Sequence, residues 1–233
     1  MKKVLSAILL FMMIVTFSAC ENSESFSQTT KSNAEKEQLK TSADITTNSL
    51  ESSDLMNTTK ANKILIAYFS RADENYGVGV IENGNTQIIA EMIADETGGD
   101  LFHIERDTPY SADYDECTDE AKTEQNNNDR PTLKETIDIT EYDVIFLGYP
   151  NWWGDMPMPV YTFLEENDFS DKTVVPFCTH AGSELSSTER SIKNTTGATL
   201  LDGLAISGTT AQNEQDEARK SVREWLDNLN LSE

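Results

Sequence analysis

Three short stretches of this 233-residue chain combine residue types that can hold a small molecule. The first is Ser70-Arg71-Ala72, which resumes after an acidic stretch, residues 73–83, at Gly84-Asn85-Thr86. Hydroxyl, guanidinium and amide groups ahead of a helix start suit a phosphate, because a helix N-terminus offers N–H groups with no intrahelical acceptor. No P-loop lysine accompanies them, and Ser or Asn at this place also serves as a plain helix cap, so both readings stand. The second stretch is Pro150-Asn151-Trp152-Trp153-Gly154. Adjacent tryptophans in a loop point in different directions, so at least one ring resists absorption into a core and offers a planar ligand a stacking surface. The alternative is that both rings cover the end of a sheet. The third is Thr179-His180-Ala181-Gly182-Ser183. His180 and Ser183 pair a base with a hydroxyl, yet no strand-Gly-x-Ser-x-Gly-helix arrangement surrounds them, and hydrolase chemistry is set aside. His103 and His180 are the two histidines, and neither has Cys or acidic neighbours at ligand spacing, so no structural metal is expected.

All three stretches directly follow apolar runs. Residues 63–69, 143–149 and 173–178 are almost continuously apolar, as strands buried on both faces must be. Residues 101–105 and 198–206 are shorter candidates, giving five strands. Helical spacing appears between them. Ile88, Ile89, Met92 and Ile93 share one face of a helix that starts near Asn85 and stops at Gly98-Gly99. Residues 157–166 and 187–194 read as shorter helices, and residues 113–125 as a polar one in the long break between 107 and 142. From about Asn213, a last helix aligns Ala218, Val222, Trp225, Leu226 and Leu229. Strand and helix in alternation make an α/β protein with a parallel sheet wrapped on both sides. Ligands of such sheets bind beyond the carboxyl ends of the strands, where the three stretches fall.

The chain is acidic, with 41 Asp and Glu against 18 Lys and Arg, and nearly all of the net charge of −23 falls after residue 61. Nucleic-acid phosphates repel such a surface, and no basic stripe offers a local exception. Lys2 and Lys3 precede an apolar run at residues 4–17, shorter than the ~20 residues of a permanent span. The run ends in Ser18-Ala19-Cys20, so residues 1–20 read as a lipoprotein signal with lipidation at Cys20, which makes the domain extracytoplasmic and membrane-anchored. An ordinary secretory signal cut nearby and an uncleaved anchor are the alternatives, and all three place the domain outside the cytoplasm. Residues 21–61, rich in Ser, Thr, Asn, Glu and Lys, read as a disordered tether, and residues 62–233 as one domain. Cys117 and Cys178 fall in a polar segment and a buried strand, so no disulfide between them is expected.

The domain resembles the flavodoxin-like family, in particular flavodoxins found in bacterial secreted and lipoprotein contexts. The resemblance rests on Tyr68-Phe69-Ser70-Arg71, Gly84-Asn85-Thr86, Gly148-Tyr149-Pro150-Asn151-Trp152-Trp153-Gly154 and Val175-Pro176-Phe177-Cys178-Thr179-His180. It implies a flavodoxin-like three-layer sandwich with a five-stranded parallel sheet in the order 2-1-3-4-5 and FMN at its edge. Ser70, Arg71, Ala72, Asn85 and Thr86 would then surround the FMN phosphate. Pro150, Asn151, Trp152, Trp153 and Gly154 would line one side of the ring, and Thr179, His180, Ala181, Gly182 and Ser183 the other. The compact phosphate loop of typical flavodoxins is interrupted here by residues 73–83. The implied function is an FMN electron carrier whose acidic face meets basic redox partners, with Asp155, Asp73 and Glu74 disfavouring reduction. The alternatives are an FMN-dependent NAD(P)H:quinone or flavin oxidoreductase and a lipoprotein that keeps the fold without flavin.

Overall fold

A computed structural model of the chain describes residues 62–229 and 231. The expected leader with Cys20 and the expected tether therefore lie outside the described residues. Among the described residues no helix is long and apolar enough to cross a membrane.

Strands β1 (Ile64–Tyr68), β4 (Asp100–His103), β5 (Val144–Pro150) and β6 (Thr173–His180) pair in parallel in the order β4-β1-β5-β6. The fifth position beside β6 holds two short strands, β7 (Thr199–Leu200) and β8 (Leu204–Ser207). By chain order of the sheet positions this is 2-1-3-4-5. The central strands are apolar throughout because each presents alternate residues to opposite faces, and both faces are covered. Leu65, Ala67, Ile145 and Leu147 pack with Val160, Phe163 and Leu164 of α3 (Met158–Glu166) and Ile192 of α4 (Thr188–Thr196). Ile66, Val144, Phe146 and Val175 pack on the other face with Ile89 and Ile93 of α1 (Asn85–Thr97) and with Ala218 and Val222 of α6 (Gln215–Asn228). Two buried clusters around one sheet make the three-layer sandwich.

The structure divides the last expected strand, residues 198–206, and Pro176 supplies the reason. Leu201 N–H donates to Val174 O, whereas Asn151 N–H donates to Thr179 O on the opposite edge of β6. Strand geometry alternates these edges, so Pro176 faces the same edge as Val174 and has no N–H to offer there. Pairing therefore stops after Leu200 and resumes at Leu204. Gly203 fills the gap, where a Cβ would lie 3.0 Å from Pro176 O.

Three local features shape the region beyond the strands. The acidic insert folds as an antiparallel hairpin of β2 (Asp73–Asn75) and β3 (Gly79–Ile81). The polar helix is present as α2 (Tyr114–Asn127), capped by Asp113, whose side chain accepts from Glu116 N–H at 3.0 Å. Arg106 anchors this helix from the end of β4: its guanidinium pairs with Glu124 at 2.5 Å and lies over the Tyr110 ring. A short α5 (Gly208–Asn213), unexpected from the sequence, follows β8.

Candidate functional site

A cavity of about 570 Å³ opens at the carboxyl ends of β1, β5, β6 and β8, within the range that holds small molecules and cofactors. Of the sequence-predicted residues, Arg71, Asn85, Pro150, Asn151, Trp152, Trp153, Thr179, His180 and Ala181 line it. The three stretches thus converge as the strand-end rule requires. Ser70, Ala72, Thr86, Gly154, Gly182 and Ser183 are not in the lining; they shape the loops that are.

On the polar side, Ser70, just past the end of β1, meets the start of α1 in space, with the β2–β3 hairpin looped out between them. Gly84 sits at the helix cap with no side chain to bond the first turn. Ser70 Oγ accepts from Gln87 N–H at 3.0 Å, which leaves the N–H groups of Asn85 and Thr86 without a protein acceptor. A Cβ on Gly84 would stand 2.2 Å from Ser70 Oγ and 2.5 Å from Arg71 O, so only glycine allows this closeness. Arg71 spreads its guanidinium over main-chain oxygens, donating to Glu74 O, to Ser111 O at 2.6 Å and to Ala112 O at 2.9 Å. It ties the hairpin to the start of α2, and its Nε stays buried without a partner. Asn85 Oδ1 is likewise buried and unpartnered. Two unmet buried polar atoms in the wall of one cavity are the mark of a site completed by a ligand.

The aromatic side distinguishes the two tryptophans. Trp152 packs against the core, edge-on to Phe69 and to Tyr110 at 5.5 Å each. Trp153 is 48% exposed, with Lys122 Nζ 4.8 Å from its ring centroid. Residues 152–155 form a tight turn closed by Trp152 N–H to Asp155 O at 2.8 Å and Asp155 N–H to Trp152 O at 3.1 Å. Both central residues have positive φ, +53° at Trp153 and +81° at Gly154, the pattern of a type I′ turn. A bulky residue in the left-handed region costs about 1–2 kcal/mol, so the turn holds this ring on the cavity rim against its own preference.

The third stretch is fastened to the second. Asn151 accepts from Gly154 N–H at 2.9 Å and donates to Glu184 O at 2.6 Å and Ser186 Oγ at 3.0 Å, so its side chain is a staple between loops. His180 Nδ1 accepts from Gly182 N–H at 2.9 Å, leaving any neutral-ring proton on Nε2. Burial lowers the His180 pKa below its ordinary value, opposed by the charge of Glu184. Cys178 lies behind this loop, its thiol pushed up to about 12 by burial first and then by Glu184 and Glu189. Asp155 is committed elsewhere, accepting from Met156 N–H and from the Tyr161 hydroxyl, each at 2.8 Å.

Several lining residues went unseen in the sequence. Tyr114, Cys117, Thr118 and Ala121 form one face of α2, at i, i+3, i+4 and i+7. Asn75, Tyr76 and Gly77 come from the hairpin, where Tyr76 is 68% exposed. Ser207, Gly208 and Thr209 follow β8. This last group was open to the same strand-end reasoning, applied to the fifth strand. Cys117 and Cys178 are free thiols, and no group of potential metal ligands occurs among the described residues.

Comparison with known proteins agrees with this architecture. Residues 63–229 match the sequence profile of the family described as flavodoxin. An inferred flavoprotein from Bacteroides eggerthii is similar at 32% identity, over 71% of this chain and 96% of that one, with a TM-score of 0.57. One from Bacteroides uniformis is similar at 29% identity, over 72% and 99%, with a TM-score of 0.58. A Lactobacillus acidophilus flavoprotein in complex with FMN shares the fold at 24% identity, over 67% and 99%, with a TM-score of 0.50. Comparison with curated proteins returned no match.

Proposed function

The chain belongs to the flavodoxin family, and from that membership we propose that its domain holds FMN in the cavity at the strand ends and carries electrons between redox proteins outside the cytoplasm. One observation carries the reading. A single cavity is lined both by the start of α1, with its free N–H groups and the unpartnered Asn85 Oδ1, and by the half-exposed ring of Trp153. An anion, a polyol and a flat ring are the three chemistries such a lining selects, and FMN joins all three.

The residues present fit that group. The N–H groups of Asn85 and Thr86, with Arg71 Nε, would hold the phosphate as donors. Asn85 Oδ1 would accept from a ribityl hydroxyl, and Trp153 would stack on the ring. When bound, FMN supplies reversible one- and two-electron transfer. The chain's part is to bind, orient and bias. Asp73 and Glu74, on the hairpin beside the lining residue Asn75, disfavour added negative charge in the cavity. A unit charge about 10 Å away acts with about 0.4 kcal/mol in water and about 1.7 kcal/mol at an effective dielectric of 20. A low-potential carrier follows. The excess of acidic over basic side chains gives it a face for basic partners, with association that weakens as salt rises. Lipid on Cys20 and a tether of residues 21–61 would hold the domain at the outer side of a bacterial membrane.

The chain purified without residues 1–20 should be yellow and release FMN on denaturation. It should oxidise NADH or NADPH no faster than free FMN does. Rapid steady-state oxidation would move the assignment to a reductase, and a colourless chain that takes up no flavin would leave only the fold. For the anchor, Cys20→Ser should abolish fractionation with membranes.

A further inference from the structure

The two oxygens of Ser70 serve two different elements. Its hydroxyl accepts from Gln87 N–H in α1, and its carbonyl accepts from His103 Nε2 at 3.1 Å. His103 is the last residue of β4, in register with Tyr68 of β1, and lies outside the cavity lining. Its ring has two further contacts: it stacks on Tyr68 at 4.9 Å with planes 10° apart, and its Nδ1 stands 3.8 Å from the Glu105 carboxylate. Lys134 holds that carboxylate from its far side at 2.9 Å. A carbonyl oxygen only accepts, so the His103 proton is on Nε2.

We propose that His103 is a positioning residue for the anion-receiving end of the cavity. It grips the Ser70 carbonyl, which sets the loop so that Ser70 Oγ stays on Gln87 N–H. That one capped donor is what leaves the two before it, on Asn85 and Thr86, for a phosphoryl group rather than competing for the serine. Gly84 lets the loop close against α1, since even a Cβ there would overlap Ser70 Oγ. His103 restrains it on the β4 side. The sequence offered His103 only as a metal ligand to be rejected; its role comes from register, which puts the end of β4 level with the end of β1. The inference rests on the flavin reading and adds to it a claim about phosphate.

The test compares wild type, His103→Ala and His103→Gln in the full chain, with FMN and riboflavin as probes. Glutamine can present an amide N–H near the position of Nε2 and should rescue. In the alanine variant, FMN affinity should fall about tenfold while riboflavin affinity changes less than twofold, because one hydrogen bond to the phosphate loop is lost and the ring site is untouched. Without flavin, hydrogen exchange at the Gln87 amide should quicken about tenfold in the alanine variant and return to the wild-type rate with glutamine. Equal loss of both flavins would mark a merely structural histidine and overturn the inference. Unchanged affinity for both flavins would do the same while leaving the flavin reading intact. A wild-type chain that binds neither flavin would overturn both.

Discussion

The hydroxyls of Thr86 and Thr179 meet in a buried hydrogen bond of 2.8 Å, joining the first turn of α1 to the end of β6. Both residues are sealed from solvent, at 1% and 2% exposure. This bond crosses the sheet end between the polar stretch after β1 and the stretch after β6, so it fixes the spacing of two cavity walls. Neither hydroxyl has water to fall back on. Thr86→Val or Thr179→Val alone should therefore cost about 1–3 kcal/mol in denaturant unfolding, by leaving one buried hydroxyl unpaired. The double variant should recover most of that loss, since no polar group is then stranded. Additive losses would contradict the pairing.

The adjacent tryptophans should separate stability from binding. Trp152→Ala removes a partly buried ring packed on Phe69 and Tyr110 and should destabilise by about 1–3 kcal/mol. Trp153→Asn puts an Asn-Gly pair into a turn whose two central residues have positive φ. It should hold or raise the melting temperature while weakening FMN retention. Tighter FMN binding by that variant would remove Trp153 from the site.

Gly208 tests a wall that the sequence reading passed over. A Cβ there would lie 2.5 Å from Asn85 Nδ2, inside contact distance. Gly208→Ala should push the Asn85 amide and weaken FMN about tenfold or more. Its effect on unfolding should stay small, because the glycine lies at a helix start at the cavity wall. Calorimetric titration of wild type and variant checks it.

His180 sets a pH dependence with a definite sign. Burial lowers its pKa in the folded state, and the Gly182 N–H donates to a nitrogen that must be unprotonated. The stability it contributes is complete above the unfolded value of about 6.5 and is lost as pH falls from there through the lower folded value. The chain has two histidines, so imidazole resonances assign readily; that of His180 should titrate below about 6.5. His180→Asn, which keeps an acceptor but does not titrate, should flatten the stability profile between about pH 5 and 7.

The strands and helices around the core were legible because burial on both faces writes continuous apolar runs at β1, β5 and β6. The three loop stretches were legible for a related reason, since strand-end position is a property of chain order. What escaped depended on partners distant in sequence. The split of the fifth strand follows from which edge Pro176 faces, and that needs the pairing register. The hairpin is three residues on each side, with its fold closed by Arg71 reaching Glu74 O. A segment that short leaves no periodic signal. The α2 helix read as polar because most of its residues are; the four that line the cavity become a face only once Arg106 has anchored the helix. Trp153 was separable from Trp152 only by the turn that gives it positive φ.

The most direct measurement is a crystal structure of the chain soaked with FMN. The flavin ring should lie against Trp153, and the phosphate should be bonded to the N–H groups of Asn85 and Thr86, with Arg71 Nε and Asn85 Oδ1 no longer unpartnered. A cavity that stays empty at saturating FMN, or a flavin seated away from the carboxyl ends of β1, β5 and β6, would contradict the account.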